Sequence, residues 1–195
     1  MSKAGSRKLA DGATDRLVPL ASIDPLEIQS FDEMLRAMSR TAFSGRSLGE
    51  AADVLTEMTE DPDCLVVATF SGAMTVAKMG KVIVRMMEAG MIDCIVSTGA
   101  LMAHGLSEAV GLSHYKVDPK VSDEVLFEKG YNRVYDTLEL EANLNDIERF
   151  VSRVLDAMPP GETWSSESIC RAIGKALADA GDSPGILRTA YLKNV

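Results

Sequence analysis

The sequence predicts an α/β fold, a parallel sheet flanked by helices. The apolar, β-branched run Cys64–Thr69 reads as a strand covered on both faces, and Ile92–Ser97 is the next apolar run and a second strand. A helical pattern lies between them, and two strands joined through a helix make a parallel pair with a right-handed crossover. A loop of small residues follows each strand, Ser71-Gly72-Ala73 and then Thr98-Gly99-Ala100. Both loops therefore fall at the carboxyl ends of neighbouring strands, where open α/β sheets bind ligands.

Each part of this unit has its own local reason. Phe70-Ser71-Gly72-Ala73 turns the chain out of the first strand. From Val76, apolar residues recur at Met79, Ile83, Met86 and Met87, with Lys78, Lys81, Arg85 and Glu88 on the opposite, solvated face. Gly90 is a natural helix stop. Cys64 and Cys94 open the two strands, where a small thiol is expected to be buried.

Ahead of the unit, residues 1–18 are polar and read as a loose arm, with the folded portion running over 19–195. Asp24-Pro25-Leu26-Glu27 has the form of a helix start, and Ile28, Phe31, Leu35 and Met38 mark one face behind it. Ser47-Leu48-Gly49-Glu50 repeats the capping pattern before a second stripe through Leu55 and Met58. Asp61-Pro62-Asp63 turns the chain towards the first strand.

Behind the unit, residues 111–133 are polar and aperiodic and read as a long connection, with a short extended piece within Asn132–Leu140. Asn145 is placed to cap a helix with Ile147, Phe150, Val151, Val154 and Leu155 on its face, ended by Pro159-Pro160-Gly161. Ser165 or Ser166 caps the next helix, which Gly181 ends, and Ser183-Pro184 starts a last one. So few strands against so many helices, with a final helix that would lead into another strand, suggest a sheet incomplete at its C-terminal end.

The composition excludes several classes. The 195 residues suffice for a real core, with 46% hydrophobic and 25% charged residues. A net charge of -9 argues against a general nucleic-acid or anionic-membrane binder and suits a cationic ligand or a basic partner. No apolar run approaches the ~20 residues that span a bilayer, and a cytoplasmic location is the default. Three cysteines far apart offer neither a CxxC zinc pair nor a disulfide framework. The eleven methionines fall mostly on helical stripes and read as core filler.

The two loops have hydroxyls and amides at helix starts that can hold phosphate oxygens, although neither matches GxGxxG. Tight turns between strand and helix explain them equally well. His104 lies about one helical turn past the second loop and can face the same crevice; a structural histidine is the plainer reading. His114, in the polar connection, reads as a surface residue, and no metal-ligand spacing joins the two histidines.

The segments DPDCLVVATFSGAM and IDCIVSTGALMAHGLSEAVG resemble deoxyhypusine synthase, especially its bacterial and archaeal synthase-like relatives. SFDEMLRAMSRTAFSGRSLGEAADVL, the run around NRVYDT and the terminal SPGILRTAYLKN fit as well, so the likeness covers roughly Ile28 to Val195. It implies a Rossmann-like NAD-binding fold within a homotetramer with active sites at subunit interfaces. It further implies oxidation of spermidine and transfer of its aminobutyl group, through an imine on an active-site lysine, to a lysine of translation factor 5A. A free polyamine is the acceptor in some relatives.

By the same resemblance, Gly72, Ala73, Met74, Thr75 and Val76 correspond to the first NAD-contacting loop. Thr98, Gly99 and Ala100 correspond to the second. His104 occupies the place where protein-modifying members carry an acidic residue near cofactor and polyamine. Gly105 replaces the aspartate usual after it, while Lys78 and Gly80 stand where relatives usually have Gly and Arg. The family continues well beyond the position of Val195, and the catalytic lysine belongs to that later part. The resemblance therefore places residues 19–195 as the N-terminal portion of the NAD-binding domain. Competing expectations are a non-catalytic regulatory or structural subunit that pairs with a full-length paralogue, and a truncated inactive product.

Overall fold

The computed structural model describes residues 9–161 and 163–195. The first eight residues of the expected arm lie outside them; Leu17 and Val18 within it are exposed. The chain forms two compact units, Met1–Pro62 and Asp63–Val195.

The first unit is a helical pair, α1 (Phe31–Ser39) and α2 (Phe43–Glu60). Both helices start elsewhere than their capping patterns suggest. The carboxylate of Asp24 accepts from the Leu26 amide at 2.9 Å and its carbonyl from Glu27 at 3.1 Å, which closes a turn and no more. Helix α1 begins instead behind Ser30, whose hydroxyl accepts from the Glu33 amide at 3.1 Å. Ser47 lies inside α2, where its hydroxyl bonds back to the Phe43 carbonyl at 3.3 Å. A Cβ on Gly49 would meet the Ser39 amide nitrogen at 2.2 Å, so this glycine lets α2 lie against the end of α1.

The second unit opens with the predicted βαβ segment. Strands β1 (Val67–Phe70) and β2 (Cys94–Ser97) pair in parallel, Val67 opposite Cys94 and Phe70 opposite Ser97. Between them runs α3 (Gly80–Glu88), ending at Gly90 with φ 73°. The helix starts four residues later than the Val76 pattern implies. Residues Gly72–Met74 form one 3-10 turn, and Lys78 then adopts φ 64° before the helix begins. Lys78 is consequently not part of the solvated face of α3.

Coverage on both faces does not hold for these strands. Ala68, Phe70 and Ile95 pack on the core, while Val67 and Val96 are 44% and 54% exposed. Nor are the strand thiols buried: Cys94 is exposed and Cys64 half-buried, because both precede the stretch that packs on the helices.

After β2 come a 3-10 turn (Gly99–Met102) and α4 (His104–Ala109). The region read as a long loop is structured. It contains β3 (Tyr115–Lys116), α5 (Asp123–Glu128) and β4 (Tyr131–Val134), and β5 (Thr137–Leu140) completes an antiparallel sheet in the order β3-β5-β4. Elements this short cannot show a period, so the sequence hides them. Helix α6 (Glu141–Asp156) follows β5 directly, which places Asn145 inside the helix and not at its cap.

Helices α7 (Ser166–Ala180) and α8 (Ile186–Lys193) close the unit. Ser165 caps α7 through a reciprocal box with Ser168, worth about 1 kcal/mol. Gly181 ends α7 as expected, and α8 starts just past Pro184, behind Gly185. Val84, Met87, Leu106, Ile147, Ile173 and Leu187 form the centre of one core that joins α3, α4, α6, α7 and α8. Each such fully buried side chain contributes about 1.5–3 kcal/mol.

Candidate functional site

The two βα loops lie side by side, as parallel pairing of β1 with β2 requires. The amide of Gly72 donates to the Thr98 hydroxyl at 3.0 Å, tying one loop to the other. Gly72 is buried at this contact: a Cβ there would sit 2.1 Å from the Leu101 nitrogen and 2.5 Å from the Ala100 carbonyl carbon. Thr75 and Val76 are also buried, and the Thr75 hydroxyl donates to the Gly72 carbonyl at 2.7 Å. Ala73, Met74, Thr98 and Gly99 are exposed and Ala100 half-buried. A Cβ on Gly99 would meet no heavy atom within 4 Å. The residues expected to line one wall thus divide in two. Gly72 ties the first loop to Thr98 of the second, Thr75 braces the first loop and Val76 is buried, whereas Ala73, Met74 and Gly99 are exposed.

His104 opens α4 immediately behind the second loop, with its side chain 24% exposed. Its Nδ1 lies 2.6 Å from Oε2 of Glu139, a carboxylate on β5 that is itself 1% exposed. The Ser107 hydroxyl, one turn along α4, donates to Oε1 at 3.1 Å. His114 Nε2 approaches the same Oε1 at 3.3 Å, but its geometry makes no hydrogen bond, and this buried nitrogen has no hydrogen-bond partner. Lys78 Nζ reaches His114 Nδ1 at 3.2 Å and also pairs with Glu108. An ammonium has only donors, so His114 Nδ1 accepts and the proton of this neutral ring sits on Nε2. Burial, helped by the Lys78 charge, holds the His114 pKa below the usual histidine value.

His114 is therefore not a surface residue: its side chain is 0% exposed. The cause is strand register. Tyr115 pairs with Leu138 and Lys116 with Thr137, so one step along the ladder brings His114 opposite Glu139. Sequence reasoning missed Glu139 altogether. The only local trace is the alternating TLEL run, in which Leu138 and Glu139 are both buried. A carboxylate so placed needs partners, and His104 and Ser107 supply hydrogen bonds to it, with His114 beside them.

Lys78, Thr75, Gly105, Glu108 and Lys81 also line a cleft of about 290 Å³, together with Gly185 and Ile186 at the start of α8. Gly105 fits tightly there, since a Cβ would lie 2.6 Å from Leu101 Cδ1 and 3.3 Å from Thr75 Cγ2. A larger residue at that position needs Leu101 to move.

The family profile for deoxyhypusine synthase matches residues 33–195. The protein named "Probable deoxyhypusine synthase 2" of Methanosarcina acetivorans is 35% identical over 179 residues, covering 91% of this chain and 51% of that one. Its Archaeoglobus fulgidus namesake is 37% identical over 158 residues, 81% of this chain and 52% of that one. A deoxyhypusine synthase-like protein of Chlorobaculum tepidum is 34% identical over 164 residues, 83% of this chain and 47% of that one. The chain thus spans about half the length of the curated relatives it matches. A crystal structure from Entamoeba histolytica that carries the name deoxyhypusine synthase superposes with a TM-score of 0.59 at 13% identity, over 90% of this chain and 60% of that one. That likeness is one of fold.

Proposed function

Because this chain belongs to the deoxyhypusine synthase family, we propose that it contributes part of an NAD site to aminobutyl transfer from spermidine. The acceptor is a lysine of translation factor 5A or a related amine. The observation that carries this reading is the joining of two βα loops at the carboxyl ends of adjacent parallel strands, with Gly72 bonded to Thr98. The residues fit a dinucleotide there. A Cβ on Gly99 would meet open space, and Ala73, Met74 and Thr98 of the two loops are exposed. When bound, NAD supplies the hydride acceptor. The chain's own loops orient it, while Gly72 holds the first loop to the second and Thr75 braces the first.

His104 is the residue on this chain that we assign to the polyamine side. Glu139 fixes the ring through Nδ1, and the acidic balance of the chain favours a polycationic substrate. The lysine that carries the aminobutyl group in the family is assigned to a complementary segment or subunit, in a homo-oligomer or with a full-length paralogue. Such a partner would cover the exposed face of β1 and β2 at Val67 and Val96. A cytoplasmic setting accords with this chemistry, and among the described residues no helix is long and apolar enough to cross a membrane.

NAD titration by calorimetry tests the reading, with the chain alone and mixed with a full-length relative. Gly99→Val should weaken NAD at least tenfold while leaving the unfolding temperature unchanged. Equal NAD affinity of wild type and variant, or no NAD binding in either mixture, overturns it.

A further inference from the structure

We propose that His104, His114 and Glu139 form a divalent transition-metal site that Lys78 guards. The ligand atoms of the three side chains all lie within 4.8 Å of one another. Two imidazoles and one carboxylate are a donor set suited to Zn²⁺ and neighbouring ions, and three protein ligands leave a further position for water. A second observation points the same way: His114 Nε2 is buried and has no hydrogen-bond partner, although Glu139 Oε1 stands 3.3 Å away. A built site for a ligand explains an orphaned nitrogen that a closed hydrogen-bond network does not.

The three ligand atoms, within 4.8 Å of one another, must draw together around an ion. Ligand atoms about 2.0–2.1 Å from a tetrahedral ion stand about 3.3 Å apart. His114 Nε2 is already 3.3 Å from Glu139 Oε1. The His104 Nδ1 contact, 2.6 Å, is to the other oxygen, Oε2, so the carboxylate or the imidazole must turn before one ion meets all three side chains, and His104 has the freedom of a partly exposed ring at a helix start. Ser107 remains as a donor to the carboxylate and fixes its orientation.

The proton balance gives Lys78 its role. In the metal-free state Lys78 donates to His114 Nδ1, which keeps the proton on Nε2. For Nε2 to bind metal, that proton must move to Nδ1, and Lys78 withdraws to its other partner, Glu108. His104 likewise frees Nδ1 by carrying its proton on Nε2. Each step moves a proton between the two nitrogens of one ring, and no redox change occurs. Lys78 therefore competes with the ion, both by its charge and by fixing the wrong tautomer.

The test uses the whole chain, stripped with chelator, and Co²⁺ as the probe, with Zn²⁺ in competition. One equivalent of Co²⁺ should bind with the ligand-field spectrum of a four- or five-coordinate site. Zn²⁺ should displace it, and the spectrum should survive Cys94→Ser, which removes the exposed thiol. His114→Gln and His104→Gln should each weaken binding more than about tenfold. Lys78→Met, a change at a half-exposed side chain, should strengthen it at least threefold. Absence of one-equivalent binding overturns the proposal, and so does binding that persists in both histidine variants. Should those variants fail to fold, Lys78→Met decides: unchanged or weaker affinity overturns it.

Discussion

The Gly72 amide and the Thr98 hydroxyl, 26 residues apart, meet at 3.0 Å and bind the first βα loop to the second. Gly72 tolerates no side chain at this junction, since a Cβ would lie 2.1 Å from the Leu101 nitrogen. Gly72→Ala should accordingly lower stability by about 2–3 kcal/mol, the scale of overpacking against immovable backbone. Chemical denaturation checks this. A Gly72→Ala stability equal to wild type would show that the loops part freely. The contrast with Gly99→Val, expected to keep full stability, separates the glycine that packs from the one that faces open space.

Glu139 is the anchor of the His104–His114–Ser107 cluster. Glu139→Gln keeps the shape but removes the charge and puts an NH2 group where one of its acceptor oxygens stood, facing the His104 Nδ1 contact or the Ser107 and His114 side. A loss of about 1–3 kcal/mol should appear in urea unfolding in the presence of chelator. Removing the serine hydroxyl as well, by Ser107→Ala, should cost less in the Glu139→Gln variant than in wild type, because the two side chains share one bond. Additive costs would deny the coupling.

Gly174 lies where α7 meets α8; a Cβ there would stand 2.3 Å from the Leu187 carbonyl oxygen and 2.8 Å from Tyr191 Cβ. Alanine is the better helix former by about 1 kcal/mol. The clash should nonetheless prevail, with Gly174→Ala lowering the unfolding temperature by several degrees. A rise in that temperature would mean that the two helices can separate at little cost.

The thiols should react in order of exposure. Cys94 is exposed, whereas Cys170 is half-buried and its pKa is raised by burial and then by Glu167. A raised pKa means less thiolate at a given pH and slower attack. Labelling with a chromogenic disulfide in mildly alkaline buffer should modify Cys94 first and Cys170 last, with the lag at Cys170 abolished by denaturant. Mass spectrometry of the digested chain reads the order directly.

Incubation with NAD and spermidine, followed by borohydride reduction, should leave the mass of this chain unchanged. The aminobutyl-bearing lysine is assigned to a complementary segment, and Lys78 is engaged with Glu108 and His114. A stoichiometric aminobutyl adduct on this chain would relocate the nucleophile.

The sequence by itself determined the features that repeat or punctuate over a few residues. The parallel pair, its two small-residue loops, the stops at Gly90 and Gly181, and the Ser165 cap are all present. Each depends on neighbours within about one helical turn or one strand, so the residues carry the signal locally. Helix starts at Asp24, Ser47 and Asn145 failed because polar residues with capping chemistry also close turns, bond back along a helix or lie within it. Only the tertiary structure decided the cluster of His104, His114 and Glu139, and the buried role of Gly72. The first depends on the register of β3 against β5, which brings His114 opposite Glu139, and on the placement of α4 beside that sheet. The second depends on how closely two loops approach. Both are distances between segments remote in the chain, and no local pattern of side chains encodes them.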